Sequence, residues 1–181
     1  MHTEIHPDIE KILVSSEDIK AKARVLGKAI SKDFKGRRPV LVGVLRGCVL
    51  FMSDLAQNIT IDCSMDFICP SSYNGGVKST GVVQLLLDLR ESIEGRDVIL
   101  VEDVVDTGLT MRYLLDNLNT RKPKSITVCT LLDKRCARRV DVPVHYSGFE
   151  IGNEFVVGYG LDYKEIYRNL PYIGTLRKSK I

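Results

Sequence analysis

Apolar residues along this chain fall into two kinds of pattern. Ile19, Ala23, Leu26, Ile30 and Phe34 recur at a helical period, with Lys20, Lys22, Lys28 and Lys32 between them, which predicts an amphipathic helix. Ser15 and Asp18 stand at the spacing of an N-terminal capping box for it. Residues 40–45, opened by Pro39, are instead one continuous apolar run. So short and uniform a run suits a strand buried on both faces, as in a parallel sheet. Residues 50–57 read as a helix, and 62–68 and 82–87 as two more strands. Between those strands lies a polar, glycine-rich stretch over 70–81. Residues 97–101 repeat the buried-strand pattern. Met111, Leu114, Leu115 and Leu118 then make an apolar helix face at i, i+3, i+4 and i+7, and 126–132 is another strand.

Strand, helix and strand in this order, with short links, predict βαβ units. The fold class is therefore α/β, a Rossmann-like parallel sheet flanked by helices. No repeat, low-complexity tract or linker divides the chain, so 1–181 reads as a single domain. Residues 142–173 are broken up by Gly148, Gly152, Gly158, Gly160 and Pro171. With the N-terminal segment, the stretch from about 142 to 181 is expected to form a small hood over the sheet.

Composition changes this picture little. The 181 residues are 44% hydrophobic and 27% charged, and 26 basic against 23 acidic residues leave a net charge of +3. That is an ordinary soluble composition, too nearly neutral to argue for nucleic acid as a partner. The longest apolar runs fall far short of the ~20 residues that span a bilayer. The N-terminus carries Glu4, Asp8 and Glu10 and no apolar core of a signal peptide. A cytoplasmic protein with no membrane partner is expected. The five cysteines (Cys48, Cys63, Cys69, Cys129 and Cys136) are odd in number and contain no C-x-x-C pair, which suits reduced thiols. His2, His6 and His145 are too scattered for a zinc site.

In open α/β sheets, ligands bind outside the carboxyl ends of the strands. After the strand at 97–101 come Glu102 and Asp103. Within a strand their side chains would point to opposite faces and one charge would be buried. The strand is therefore expected to end there, with both carboxylates at the sheet's edge, where they could hold a divalent metal or accept hydrogen bonds from sugar hydroxyls. Asp106, Thr107, Gly108, Leu109 and Thr110 then lead straight into the Met111 helix. Small hydroxyl residues and a glycine at a helix start describe a phosphate cradle, because the first N–H groups are unpaired and the dipole is positive there. An isolated D-T-G is more often a simple helix cap; three carboxylates and T-G-x-T within nine residues favour the cradle.

The segment VEDVVDTGLT at 101–110 resembles the phosphoribosyl-pyrophosphate (PRPP) motif of type I phosphoribosyltransferases, and more closely that of the hypoxanthine-guanine branch. Four further segments carry the same resemblance in order. They are Leu45-Arg46-Gly47, Ser71-Ser72-Tyr73, Asp133-Lys134-Arg135, and FVVGYGLDY at 155–163. The short N-terminus and the NLPYIGT ending at 169–175 are similar to bacterial members. The resemblance implies transfer of a phosphoribosyl group from PRPP to N9 of hypoxanthine or guanine, with Mg²⁺ as cofactor, pyrophosphate as leaving group and a transition state like an oxocarbenium ion. It implies Asp106 as the base at purine N7, and Thr107, Gly108, Leu109 and Thr110 around the 5′-phosphate. Glu102 and Asp103 would meet the ribose hydroxyls and the metal. Arg46, Gly47 and Arg168 would meet pyrophosphate, with a cis peptide before Arg46. Lys134 would donate to purine O6, Phe155 would stack on the ring, and the Val156 backbone would meet its edge. Asp162 would reach a second Mg²⁺ through water. Residues 70–81, with Ser71, Ser72 and Tyr73, would be a lid that keeps water from the reacting carbon. Some members carry lysine where this chain has Leu109; a contact made by the backbone is little affected. Dimers or tetramers of identical chains are the family expectation.

Rival functions have less support. Residues 75–80 lack the G-x-x-x-x-G-K spacing of a nucleotide hydrolase and precede a strand instead of a helix. Neither G-x-G-x-x-G nor G-x-S-x-G is present. An RNA-binding regulator on the same fold remains the alternative from another class. It would need a basic RNA surface, and it would not need Asp106 or the purine-directed Lys134.

Overall fold

The computed structural model describes residues 5–72 and 83–180. In chain order its elements are β1 (Ile9–Val14), α1 (Ser16–Asp33), β2 (Val40–Val44), α2 (Val49–Gln57), β3 (Ser64–Ser72), β4 (Val83–Leu87), β5 (Asp97–Val105), α3 (Leu109–Asn119), β6 (Ser125–Asp133), β7 (Tyr146–Glu150), β8 (Val156–Val157) and β9 (Ile173–Leu176). Short 3₁₀ turns follow β6 and β9. The capping box forms: the Ser15 hydroxyl accepts from Asp18 N at 3.1 Å and donates to the Asp18 carboxylate at 2.6 Å.

The continuous apolar runs become the middle of a six-stranded sheet, ordered β4-β3-β2-β5-β6-β7. All neighbours are parallel except β4, which is antiparallel to β3. Both faces of the central strands are covered, which is why the runs do not alternate. Leu41, Ile99, Val101 and Leu131 pack on one side against Ile19, Leu26 and Ile30 of α1 and Phe51, Met52 and Leu55 of α2. Val40, Val42, Val98, Leu100 and Val128 pack on the other side against Met111, Leu114, Leu115 and Leu118 of α3. Each such side chain contributes roughly 1.5–3 kcal/mol of burial. Among the described residues, no helix is long and apolar enough to cross a membrane.

Three expectations are corrected. First, the strand at 97–101 does not end at Glu102: β5 continues to Val105, because β6 pairs with it from Asp97↔Ser125 as far as Val105↔Asp133. Asp103 is consequently buried. Second, the lid expected over 70–81 loses its first residues to a hairpin. Ser71 and Ser72 pair with Gln84 and Val83, and Pro70 is accommodated because the ladder is irregular between Cys69 and Pro70. Tyr73 and residues 74–81 lie outside the described residues. Third, the stretch expected to leave the sheet from about 142 first supplies β7 to its edge, paired in parallel with β6. The crossover between β6 and β7 contains a 3₁₀ turn and no α-helix.

Beyond β7 the chain builds a second, three-stranded sheet, β1-β9-β8. Its core is Ile9, Val157, Tyr167, Tyr172 and Leu176. In the main sheet, β2 leads outward to β3 on one side while its other neighbour is β5. The chain thus changes direction between β2 and β5, and the carboxyl ends of those two strands flank the crevice where this architecture binds ligands.

Candidate active site at the carboxyl ends of β2 and β5

The turn from β5 into α3 holds Asp106 to Thr110, the residues expected to cradle a phosphate. Gly108 has φ +84°, and a Cβ there would lie 2.9 Å from Val140 O, so the tight entry into α3 needs glycine. No side chain caps the helix from that position; the Thr107 hydroxyl lies 3.5 Å from Leu109 N. The N–H groups of the first turn are therefore open to an anion. The turn is braced from outside, since Thr107 O accepts from Arg139 N at 2.9 Å and Val140 N at 3.3 Å. A cavity of about 120 Å³ opens here, lined by Glu102, Asp106, Thr107, Gly108 and Thr110 among others. Leu109, the first residue of α3, is half-exposed.

Glu102 and Asp103 are adjacent carboxyls near the end of β5, and each affects the other's charge. Burial, then the charge of Asp103, push the Glu102 carboxyl well above its ordinary range. Burial also raises Asp103, against the effect of Glu102, the hydrogen bond from Val104 N and the nearby charge of Arg168. Glu102 Oε2 is out of solvent contact and has no hydrogen-bond partner among the described residues. Such an atom costs free energy unless a ligand satisfies it. A cation or a sugar hydroxyl fits that requirement. Among the described residues no group of three or more His, Cys, Asp or Glu side chains converges.

Lys134 is buried just past the end of β6. Its backbone N–H donates to Val105 O at 3.0 Å, and its ammonium donates to Glu154 O at 2.8 Å. The same ammonium lies 4.0 Å from the half-exposed Asp106 carboxylate. Phe155 is 44% exposed, with its ring edge-to-face on Tyr163 at 5.5 Å. Val156 is buried in β8 and pairs with Thr175.

The remaining expected residues cluster where the hood meets the β2–α2 turn. The Leu45–Arg46 peptide is cis. A Cβ on Gly47 would lie 1.6 Å from Asp103 Oδ2, and one on Gly160 would lie 2.0 Å from Gly47 O. Backbone and carboxylate are thus in direct contact across three segments. Arg168 donates to Gly160 O at 2.7 Å and pairs with Asp162 at 2.7 Å. Asp162 Oδ2 also accepts from Glu165 N at 2.9 Å.

Three groups in this region went unremarked in the sequence. Arg138 lies in a run of basic residues with Lys134, Arg135 and Arg139. In the fold it donates to both Val105 O and Asp106 O at 2.6 Å and pairs with the buried Asp133, fixing the backbone that carries Asp106. Tyr159 joins the hood to α2 by donating to Asp54 Oδ2 at 2.6 Å. Glu165 bridges Arg46 and Arg168. The only hint of these was composition: a tyrosine between two glycines, and charges beside a motif.

Comparison with known proteins agrees over nearly the whole chain. The profile of the phosphoribosyl transferase domain family matches residues 11–164. The hypoxanthine-guanine phosphoribosyltransferase of Staphylococcus epidermidis is 49% identical over 173 residues, covering 96% of this chain and 97% of that one. The bifunctional protein TilS/HprT of Listeria innocua is also 49% identical over 173 residues, and this chain spans 27% of its length. Among solved structures, a hypoxanthine phosphoribosyltransferase from Staphylococcus aureus superposes with a TM-score of 0.93 at 46% identity, with 99% of this chain and 98% of that one covered. A hypoxanthine-guanine phosphoribosyltransferase from Bacillus anthracis, with a HEPES molecule in its active site, gives 0.89 at 44% identity, with 93% and 99% covered. With both its sequence and its fold matched, the chain belongs to the phosphoribosyltransferase family and, within it, to the hypoxanthine-guanine branch.

Proposed function

We propose that the protein transfers the 5-phosphoribosyl group of PRPP to N9 of hypoxanthine or guanine, giving IMP or GMP and pyrophosphate. The observation that carries this reading is the buried Lys134 ammonium 4.0 Å from the Asp106 carboxylate, at the ends of adjacent strands and beside the open first turn of α3. A donor and a base stand together next to a phosphate site.

The 5′-phosphate would take the N–H groups of Thr107, Gly108, Leu109 and Thr110. Glu102 and Asp103 would hold the ribose hydroxyls and the cation. Arg46, Gly47 and Arg168 would hold the pyrophosphate group. Lys134 would donate to purine O6, Phe155 would cover the ring and the Val156 backbone would meet its edge. The C1′–O bond to pyrophosphate breaks as the N9–C1′ bond forms, with inversion, and the N7 proton passes to Asp106. Mg²⁺, when bound, would offset the charge of the diphosphate. Asp162 would reach a second Mg²⁺ through water, its carboxylate being engaged directly by Arg168. Ser71 and Ser72 lead into the lid segment that includes Tyr73. A homodimer or homotetramer in the cytoplasm is part of the same proposal. The relatives found bear the names of enzymes, and the RNA-binding alternative has no support among them.

The test is direct. Incubation with Mg²⁺, PRPP and hypoxanthine should yield IMP and pyrophosphate in equal amounts, and guanine should yield GMP. Formation of neither nucleotide would overturn the proposal.

A further inference from the structure

Glu165 sits where an anion would sit. Its Oε2 lies 2.9 Å from Arg46 Nη1 and its Oε1 lies 3.2 Å from Arg168 Nη2. One carboxylate thus bridges two arginines that reach it from different segments, the turn after β2 and the hood. The placement is built into the backbone. Lys164, Glu165 and Tyr167 have φ of +54°, +63° and +77°, a region that non-glycine residues adopt only where their surroundings impose it. Glu165 N is held by Asp162 Oδ2 at 2.9 Å, and Asp162 is itself paired with Arg168. Arg46 and Glu165 are each about two-thirds exposed, at 69% and 66%, so the bridge can open without disturbing the core.

We propose that Glu165 is an internal competitor for the pyrophosphate site. It holds Arg46 and Arg168 in the empty protein, is displaced by the diphosphate group, and returns as pyrophosphate leaves. This rests on the assignment of those two arginines to pyrophosphate. A carboxylate brings one negative charge and two acceptor oxygens, whereas pyrophosphate brings more of both and wins the arginines. The displaced carboxylate then lowers the net affinity, which eases discharge of the product. A carboxylate that merely held the arginines in place would have the opposite effect: its removal would weaken binding.

The sign therefore decides the matter. Calorimetric titration of the full chain with inorganic pyrophosphate, at a fixed excess of Mg²⁺, is compared for the wild type, Glu165→Gln, Arg46→Gln and the double variant. Both glutamine sites are exposed, and circular dichroism checks that each variant is folded. Glu165→Gln should bind pyrophosphate about three- to tenfold more tightly, a modest gain because the pairs it loses are exposed ones. The gain should shrink between ~0.05 M and ~0.5 M salt, as screening weakens the competitor. Arg46→Gln should bind more weakly, and in that background Glu165→Gln should gain less. Unchanged or weaker binding by Glu165→Gln, with Arg46→Gln weakened, overturns the competitor and leaves the arginine assignment standing. Unchanged binding by Arg46→Gln overturns the arginine assignment and the competitor with it.

Discussion

Gly47 and Asp103 touch across the crevice: a single methyl group on Gly47 would lie 1.6 Å from the Asp103 carboxylate oxygen. The contact joins the carboxyl ends of β2 and β5, the two strands between which the chain changes direction. It also explains why a glycine follows Arg46, since any larger residue must displace a carboxylate assigned to ribose and metal. Gly47→Ala should therefore weaken PRPP binding by more than about tenfold while leaving free-purine binding within a few-fold. That rests on an overlap relieved only by turning the Asp103 carboxylate out of its place. Calorimetry with each ligand, alongside circular dichroism, checks it. Equal losses for both ligands would mean a general distortion instead.

The Glu102–Asp103 pair makes stability depend on pH. Its folded-state pKa values lie above the ordinary 4.5 and 3.8, so the unfolded chain ionises first. These carboxyls therefore erode stability as pH rises from about their ordinary values through the raised ones, at about 1.4 kcal/mol per unit of separation. In EDTA and without substrate, Glu102→Gln should raise Tm at pH 8, because the neutral amide avoids ionising a buried carboxyl. The gain should vanish towards pH 4.5. Thermal unfolding of both proteins across that range measures it, and a gain that grows as pH falls would contradict the assignment.

Much of this was legible in the sequence, and the reasons are physical. Residues 40–45 and 97–101 announced buried strands because a strand covered on both faces has no polar side. The Met111, Leu114, Leu115 and Leu118 face announced α3 for the matching reason. The turn at Asp106 to Thr110 showed because a tight entry into a helix needs small residues at fixed offsets. The end of β5 did not show. The cost of burying Asp103 argued for a stop at Glu102, but the ladder with β6 carries the strand on, and the unfavourable burial persists at a candidate ligand site, where such exceptions concentrate. β7 was hidden by the glycines of its neighbourhood, and β1 by the adjacent charges of Glu10 and Lys11, which interrupt its apolar run. Arg138 and Tyr159 could not be found, because their partners Asp106 and Asp54 are distant in sequence and only the packed fold brings them together.

Purine choice should follow from donors and acceptors. A lysine can only donate. Hypoxanthine and guanine present an oxygen at C6, while adenine presents an amino group. A charged hydrogen bond is worth ~1.5–3 kcal/mol, so adenine should be disfavoured by at least ~10- to 150-fold in kcat/KM. The burial of Lys134 strengthens this, since a mismatched ammonium cannot turn to water. Lys134→Gln should narrow the gap, an amide being able to donate or accept. Steady-state assays on the two bases decide it, and a wild type that uses adenine within tenfold of hypoxanthine would mean that Lys134 does not read O6.

The proton at purine N7 lies at the centre of the account. Asp106 is half-exposed beside the cradle, its backbone is held by Arg138, and its carboxylate lies 4.0 Å from Lys134. Asp106→Asn removes the base and keeps the shape. The most direct measurement is the single-turnover rate of IMP formation by that variant, loaded with PRPP and Mg²⁺ and mixed with hypoxanthine. A fall of ~10²–10⁴-fold, with PRPP affinity kept within a few-fold, is the expected result for loss of a general base. A rate near that of the wild type would contradict the account.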